Sequence, residues 1–333
     1  MKEPRRIACF HLNQVGDLLF SLPALYNLRA GFPEAHITSV ARPHCKELLL
    51  LSGLVDEVIE RPRRPIGVGF RVAARLRKLR PDLALLFSTS LGMSTLSLLS
   101  GSRIRVGFAK SPTRFFLTQG VPWLPPPSVQ NNLRLLEAIG CPITKRDYGG
   151  LIRPGRIEQD EVGRILQSAG IGAGERYAVL SPGTSSGREI KCWSDEGFAQ
   201  VADALASEFG LRSVVVGMNG GGGVCGLSSS VVDLTGKTSL SALAGVLGQA
   251  QVVIGVDSGV MHMAAAAGTP VVGLFGPTDP KLTGPQGEGH RVVCLDMPCR
   301  PCLAKSCDTG RRCMTEITSG MVTDAVASIV HNA

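Results

Sequence analysis

The stretch Val256-Asp257-Ser258-Gly259-Val260-Met261-His262-Met263-Ala264-Ala265-Ala266, running on to Gly276-Pro277-Thr278-Asp279-Pro280, decides how this chain folds. A buried apolar run, Gln251 to Val256, delivers an acid, a hydroxyl and a glycine to the opening of a helix. A second run, Pro270 to Phe275, delivers another turn of the same kind. Strand ends that meet helix N-termini are anion sites in α/β proteins, because unpaired N–H groups and the helix dipole favour negative charge there. Two such turns in succession predict one half of a nucleotide pocket.

Working outward, 333 residues exceed one ordinary core and suit two domains. With 40 glycines and 5% aromatics, the composition fits tight strand-to-helix turns better than a β-sandwich. Short apolar runs at Ile7–Leu12, Ile37–Val40, Val55–Ile59, Leu83–Phe87 and Ile104–Phe108 alternate with helical spacing, which predicts a parallel sheet. Leu18 to Ala30 reads as one helix, with Pro23 near its first turn. Pro122 to Pro127 reads as a connector, Glu158 to Ala169 as a helix, and Gly170 to Gly174 as a hinge. A second series follows: strands at Tyr177–Ser181, Ser213–Gly217, Val231–Leu234, Val252–Val256 and Val271–Phe275, with helices at Phe198–Phe209 and Ser239–Leu247. The expected domains are therefore 1–170 and 171–318, closed by a C-terminal helix within 319–333. Ligands are expected at the carboxyl ends of the strands, in a cleft between the halves.

No secretory signal opens the chain, because Asn13, Gln14 and Asp17 break the first apolar stretch; a cytoplasmic protein is expected. Leu83 to Ser102 is uncharged but rich in hydroxyls, and reads as strand, loop and short helix rather than a membrane span. The net charge of +8 is concentrated between Arg61 and Arg80, where Arg61, Arg63, Arg64, Arg71, Arg75, Arg77, Lys78 and Arg80 stand without an acid. Val72, Leu76 and Leu79 share one helix face there, and Arg71, Arg75 and Lys78 another. Such a helix is a surface for phosphates, on lipid head groups or an acidic substrate, or else simply a solvated face. Nucleic acid is not expected, since no aromatic except Phe70 interleaves with the charges.

Three segments carry candidate chemistry. His11-Leu12-Asn13-Gln14-Val15-Gly16-Asp17 lacks the spaced glycines of a dinucleotide turn. Asp17 at its helix mouth suits a general base, or merely complements the dipole. Ser181-Pro182-Gly183-Thr184-Ser185-Ser186-Gly187-Arg188-Glu189-Ile190-Lys191 lacks NTPase spacing. It suits a diphosphate, with hydroxyls on its oxygens and the Lys191 ammonium neutralising a leaving group, or is an ordinary surface loop. Asp257, Ser258, Gly259 and His262 form the tightest cluster, in which Asp257 suits a sugar or ribose hydroxyl and Ser258 and Gly259 suit phosphate.

Taken in order, Val15-Gly16-Asp17 with Pro23-Ala24-Leu25, Pro182-Gly183 with Lys191 and Trp193, Asp257-Ser258-Gly259 with His262, and Phe275-Gly276-Pro277-Thr278-Asp279-Pro280 resemble glycosyltransferase family 9, the lipopolysaccharide heptosyltransferases. The resemblance spans nearly the whole chain. It implies an α/β fold of GT-B type, two facing Rossmann-like domains with parallel sheets and an interdomain cleft. It also implies inverting transfer from a nucleotide sugar, typically ADP-heptose, onto an anionic lipid-linked saccharide, with no cofactor needed for the chemistry. By position, Asp17 matches the family's base. Thr184, Ser185 and Lys191 match its diphosphate contacts, and Asp257, Ser258, Gly259 and His262 its donor-sugar and phosphate contacts. Arg71, Arg75 and Lys78 are expected on the acceptor side, against a membrane surface on which the protein sits peripherally. One departure stands out: related enzymes place an acid after the strand at Ser213–Gly217, whereas Met218-Asn219-Gly220-Gly221-Gly222-Gly223-Val224-Cys225 has none. A sugar-nucleotide-binding protein or epimerase of the same fold is the alternative reading.

Ten cysteines in a chain without a signal do not read as a disulfide framework. Cys299, Cys302, Cys307 and Cys313 lie close in sequence, as a structural Zn²⁺ site or an iron–sulfur site would require. Disulfides and free thiols are the other readings.

Overall fold

The apolar runs pair into two six-stranded sheets, every ladder of which is parallel. The computed structural model describes residues 3–61, 68–125, 127–218, 221–302 and 306–330. Its first unit, residues 1–148, runs β1 (Arg6–Phe10), α1 (Val15–Leu19), α2 (Leu22–Gly31), β2 (His36–Ala41), α3 (Lys46–Leu51) and β3 (Glu57–Glu60). It continues through α4 (Val68–Leu79), β4 (Leu83–Leu86), α5 (Leu91–Leu99), β5 (Ile104–Phe108), β6 (Gln119–Val121) and α6 (Ser128–Glu137). The second unit, residues 149–333, runs α7 (Arg156–Ser168), β7 (Tyr177–Ser181), α8 (Asp195–Phe209), β8 (Arg212–Val215), α9 (Gly221–Leu227), β9 (Val231–Asp233) and α10 (Leu240–Gln249). There follow β10 (Val252–Val256), α11 (Gly259–Ala266), β11 (Val271–Phe275), α12 (Pro280–Thr283), β12 (Arg291–Cys294), α13 (Arg312–Thr315) and α14 (Ser319–Val330).

The sheet orders are β3-β2-β1-β4-β5-β6 and β12-β11-β10-β7-β8-β9, the same doubly wound order used twice. In each unit the winding reverses beside the first strand, between β1 and β4 and between β7 and β10. Central strands such as β7, β10 and β11 are buried at every residue, which is why they read as unbroken apolar runs rather than alternating ones. The short edge strands β6 and β12 expose most of their residues and left no such run to read.

Three boundaries differ from the sequence reading. The helix expected over Leu18–Ala30 is two helices, because the Ser21 hydroxyl donates to Leu18 O at 2.6 Å and Pro23 then sits in the first turn of α2. The chain divides between Tyr148 and Gly149, not at 170. The reason is α7, which packs on α10 so closely that a Cβ on Gly245 would lie 2.6 Å from Val162 Cγ2. The Gly170 turn is therefore the C-terminal stop of α7 inside the second unit. Helix α14 packs on α8 and β12 and belongs to that unit rather than standing apart.

Candidate active site

In the second unit, the end of β7 and the end of β10 flank the point where the winding reverses. From the loop after β7, Lys191 Nζ reaches Asp257 Oδ2 at 2.7 Å, at the end of β10. Both side chains are largely withdrawn from water. Arg311 anchors the Lys191 loop by donating to Glu189 O at 3.1 Å and Cys192 O at 3.3 Å, and Trp193 Nε1 donates to Ile317 O at 3.0 Å. His262, in the first turns of α11, places Nε2 3.9 Å from Asp257 Oδ1. Burial pushes its pKa down to about 4, with Asp257 acting against that shift and Lys191 with it, so the ring is neutral at neutral pH.

Around this pair stand three buried hydroxyls with no hydrogen-bond partner among the described residues: Ser181 Oγ at the end of β7, Ser258 Oγ before α11, and Thr278 Oγ1 after β11. Buried hydroxyls are ordinarily bonded, so three orphans at neighbouring strand ends mark a place built for a polar ligand. Ser258 is the N-cap of α11, yet its side chain makes no capping bond. The N–H groups of the first turn have no intrahelical acceptor. An ammonium paired with a carboxylate, a helix N-terminus and orphaned hydroxyls thus stand together at these strand ends. Thr184 is half-buried and Ser185 exposed in the same loop. Arg300 donates to Gly276 O and, at 3.0 Å, to Thr278 O, which holds the turn after β11 in shape. Asp279 in that turn caps α12 through Lys281 N at 2.9 Å and has a structural task.

In the first unit, Asp17 occupies the middle of α1, at the end of β1. It is half-buried, burial raises its pKa, and no ion pair among the described residues takes it. Beneath it, His11 is fully buried and stacked on Phe87, with ring centroids 5.3 Å apart. Because Ser21 Oγ gives its proton to Leu18 O, it accepts from His11 Nδ1 at 3.0 Å; His11 Nε2 then accepts from Ser39 Oγ at 2.9 Å. That chain ties the last turn of α1 to β1 and β2.

Asn13 gathers a second group. Its Oδ1 accepts from Arg42 Nε at 3.0 Å and Arg61 Nη2 at 3.2 Å, and its carbonyl accepts from His44 Nε2 at 2.9 Å. Neither arginine has a carboxylate partner among the described ion pairs, and burial and the neighbouring Arg42 both lower the Arg61 pKa. Two uncompensated guanidiniums thus stand at the ends of β2 and β3, with Arg42 and Asp17 both close enough to act on the Cys45 thiol.

The sequence model of glycosyltransferase family 9 (heptosyltransferase) matches residues 70–312. The chain belongs to that family. It is 26% identical over 288 residues to lipopolysaccharide heptosyltransferase 3 of Escherichia coli, covering 79% of this chain and 81% of the relative. The structure of E. coli ADP-heptose lipopolysaccharide heptosyltransferase II superposes with a TM-score of 0.82 at 22% identity, over 98% of this chain and 99% of that one. An E. coli heptosyltransferase solved with ADP gives 0.75 at 20% identity, over 97% and 99%. The fold is accordingly of GT-B type, and the chain is a glycosyltransferase.

Among the residues expected of a family member, the structure brings Lys191, Asp257, Ser258, Gly259 and His262 to one strand edge. Arg75 of α4 is bound to Glu57, at the start of β3, and Lys78 follows in the last turn; both are on the part of α4 remote from its Arg71 end. Arg63 and Arg64 lie outside the described residues, as do Asn219 and Gly220 of the glycine-rich loop. Where that loop lacks an acid, two carboxylates stand close by. Asp195 packs so tightly against α9 that a Cβ on Gly223 would fall 1.9 Å from its Oδ2, and Asp233 ends β9 beside β8.

Among the described residues no three His, Cys, Asp or Glu side chains gather as ligands, and all ten cysteines are free thiols. Cys313 is drawn into the core under Gly276, Cys307 Sγ accepts Arg311 N at 3.3 Å in a local turn, and Cys299 and Cys302 are exposed. Cys299, Cys302 and Cys307 are all near enough for their charges to help burial raise the Cys313 pKa. No helix among the described residues is long and apolar enough to cross a membrane.

Proposed function

We propose that this chain is an inverting transferase that moves heptose from ADP-heptose onto the lipopolysaccharide inner core, acting peripherally at the inner face of the cytoplasmic membrane. The observation that carries the reading is the Lys191–Asp257 pair, set where the second sheet reverses and ringed by orphaned hydroxyls. Lys191 and the α11 N-terminus receive the diphosphate, with Thr184, Ser185, Ser258 and Gly259 on its oxygens. Asp257 and His262 meet sugar hydroxyls. Asp17 takes the proton of an acceptor hydroxyl as its oxygen bonds to the anomeric carbon; the bond to the diphosphate breaks, and the electron pair leaves with it. Arg42 and Arg61, with Arg71 at the near end of α4, serve the anionic acceptor, while Arg75, held by Glu57, and Lys78 are left to the far end of that helix. The chemistry draws on these groups and uses no redox cofactor.

The test is thermal stabilisation by ADP-heptose against UDP- and GDP-sugars, followed by transfer to a core acceptor. ADP-heptose is expected to stabilise most. Asp17→Asn is expected to keep that stabilisation while losing at least about 100-fold in turnover. Because burial raises the Asp17 pKa, wild-type turnover falls on acidification at a higher pH than an ordinary carboxylate would give. Wild-type turnover in Asp17→Asn overturns the assignment.

A further inference from the structure

The strand C-terminal edge of the first unit carries exposed apolar side chains that the reaction does not use. Phe115, in the turn between β5 and β6, is 85% exposed, and Phe70, in the first turn of α4, is 74% exposed. Leu91 opens α5, and Trp123 and Leu124 follow β6; all three are exposed. Phe70, Leu91, Trp123 and Leu124 each follow a strand or open the helix after one, at the edge where α1 carries Asp17, and Phe115 belongs to the turn that Thr113 Oγ1 ties to Phe108 O, at the end of β5, at 3.4 Å. The elements that carry Phe70, Leu91 and Phe115 adjoin, because α4 packs on α5 and α5 on the Phe115 turn. Trp123 is held in place by an edge-to-face contact with buried Phe108, at 4.6 Å between centroids.

Along the part of this edge formed by α4 to β6 the charge has one sign. No acid occurs between Glu60 and Asp82 or between Asp82 and Glu137. Asp82 itself precedes β4, at the opposite edge, where it takes the Arg5 and Arg6 amides. Beside the aromatics stand Arg71, Lys110 and Arg114, none of them in an ion pair among the described residues. Exposed aromatic and leucine side chains set among unpaired cations suit a surface that is apolar within and anionic at its face. A protein partner of the same complementarity would have to bring both an apolar patch and a ring of acids.

We infer that the strand C-terminal edge of the first unit docks on an anionic lipid bilayer, with Phe115, Trp123 and their neighbours entering the interface and Lys110 and Arg114 on the head groups. The inference rests on the lipid-linked acceptor proposed above and supplies its approach, since docking puts Asp17 on the membrane-facing edge.

The chain has two tryptophans, and Trp193 is buried in the second unit's core, so Trp123 reports the event alone. The full chain is mixed with phosphatidylcholine vesicles, with and without phosphatidylglycerol. Wild type is expected to sediment with the anionic vesicles only, its emission shifting to shorter wavelength and quenching with brominated lipid. Phe115→Ser is expected to lower partition by roughly tenfold or more. A Lys110→Glu, Arg114→Glu double variant is expected to lower it at least as far, in a salt-dependent way. Stabilisation by ADP confirms that each variant is folded. Wild type left in the supernatant overturns the inference, as do variants that partition like wild type, or a dimer that Phe115→Ser dissolves. If vesicle binding fails while ADP stabilisation persists, the docking surface falls and the transferase reading stands; the reverse result separates them the other way.

Discussion

The Lys191 ammonium and the Asp257 carboxylate lie 2.7 Å apart with little water around them, and each depends on the other. Lys191→Ala leaves Asp257 buried without its counter-charge, 3.9 Å from a neutral imidazole that cannot replace it. Loss of one partner of such a pair costs a few kcal/mol, more than the pair is worth. Lys191 retains some exposure, so about 2 kcal/mol is expected, read by urea unfolding. Lys191→Met combined with Asp257→Asn recovers part of that loss, since no buried charge is then stranded. A loss in the double variant equal to the sum of the singles would show that the two groups act independently. Asp17 is the opposite case, a half-buried carboxylate with no ion-pair partner among the described residues. Its exposed relatives would be weaker bases, so the same burial that costs stability makes it fit to take a proton.

At the scale of elements, the two helices α7 and α10 decide where the chain divides. Their close approach needs the bare Gly245, against which Val162 sits. Gly245→Ala is expected to cost about 1–3 kcal/mol by forcing the helices apart, despite the better helix propensity of alanine. Thermal unfolding measures it, and a variant as stable as wild type would show that α7 does not pack there. The C-terminal half of the chain shows the same dependence on close packing at Gly276, where Met314 and Cys313 fill the space a side chain would need. That packing commits Cys313 to the core, with the other three tail thiols still close enough to act on it.

For the whole molecule, two histidines buried as neutral rings govern its response to acid. The pKa is pushed down to about 3 at His11 and about 4 at His262, in both cases chiefly by burial. An unfolded chain protonates both near the ordinary histidine value of about 6.5, while the folded chain does not. Stability contributed by the neutral rings is thus present above pH ~6.5 and lost as pH falls, over the window down to about 4 for His262 and about 3 for His11. Asp17 works in the other direction, because its raised pKa lets the folded state take up a proton first. Unfolding midpoints in urea are expected to drop from pH 7 to pH 5, and His262→Gln to flatten that slope. A flat profile in wild type would mean that both rings reach water.

The two parallel sheets were legible in the local sequence, because strands buried on both faces must be written as continuous apolar runs. So were the strand-end residues from Asp17 to His262, since each sits within a few positions of such a run. Tertiary structure alone decided the rest. Arg42, Arg61 and Asn13 meet across three strands, and the hydroxyl chain from Ser21 through His11 to Ser39 crosses two, so no local spacing announces either. How four thiols close in sequence are arranged is likewise a matter of packing, which here sets Cys313 in the core with the other three around its outer side. Contacts between residues far apart in the chain are set by how elements pack, and that geometry is not written in any one stretch of it.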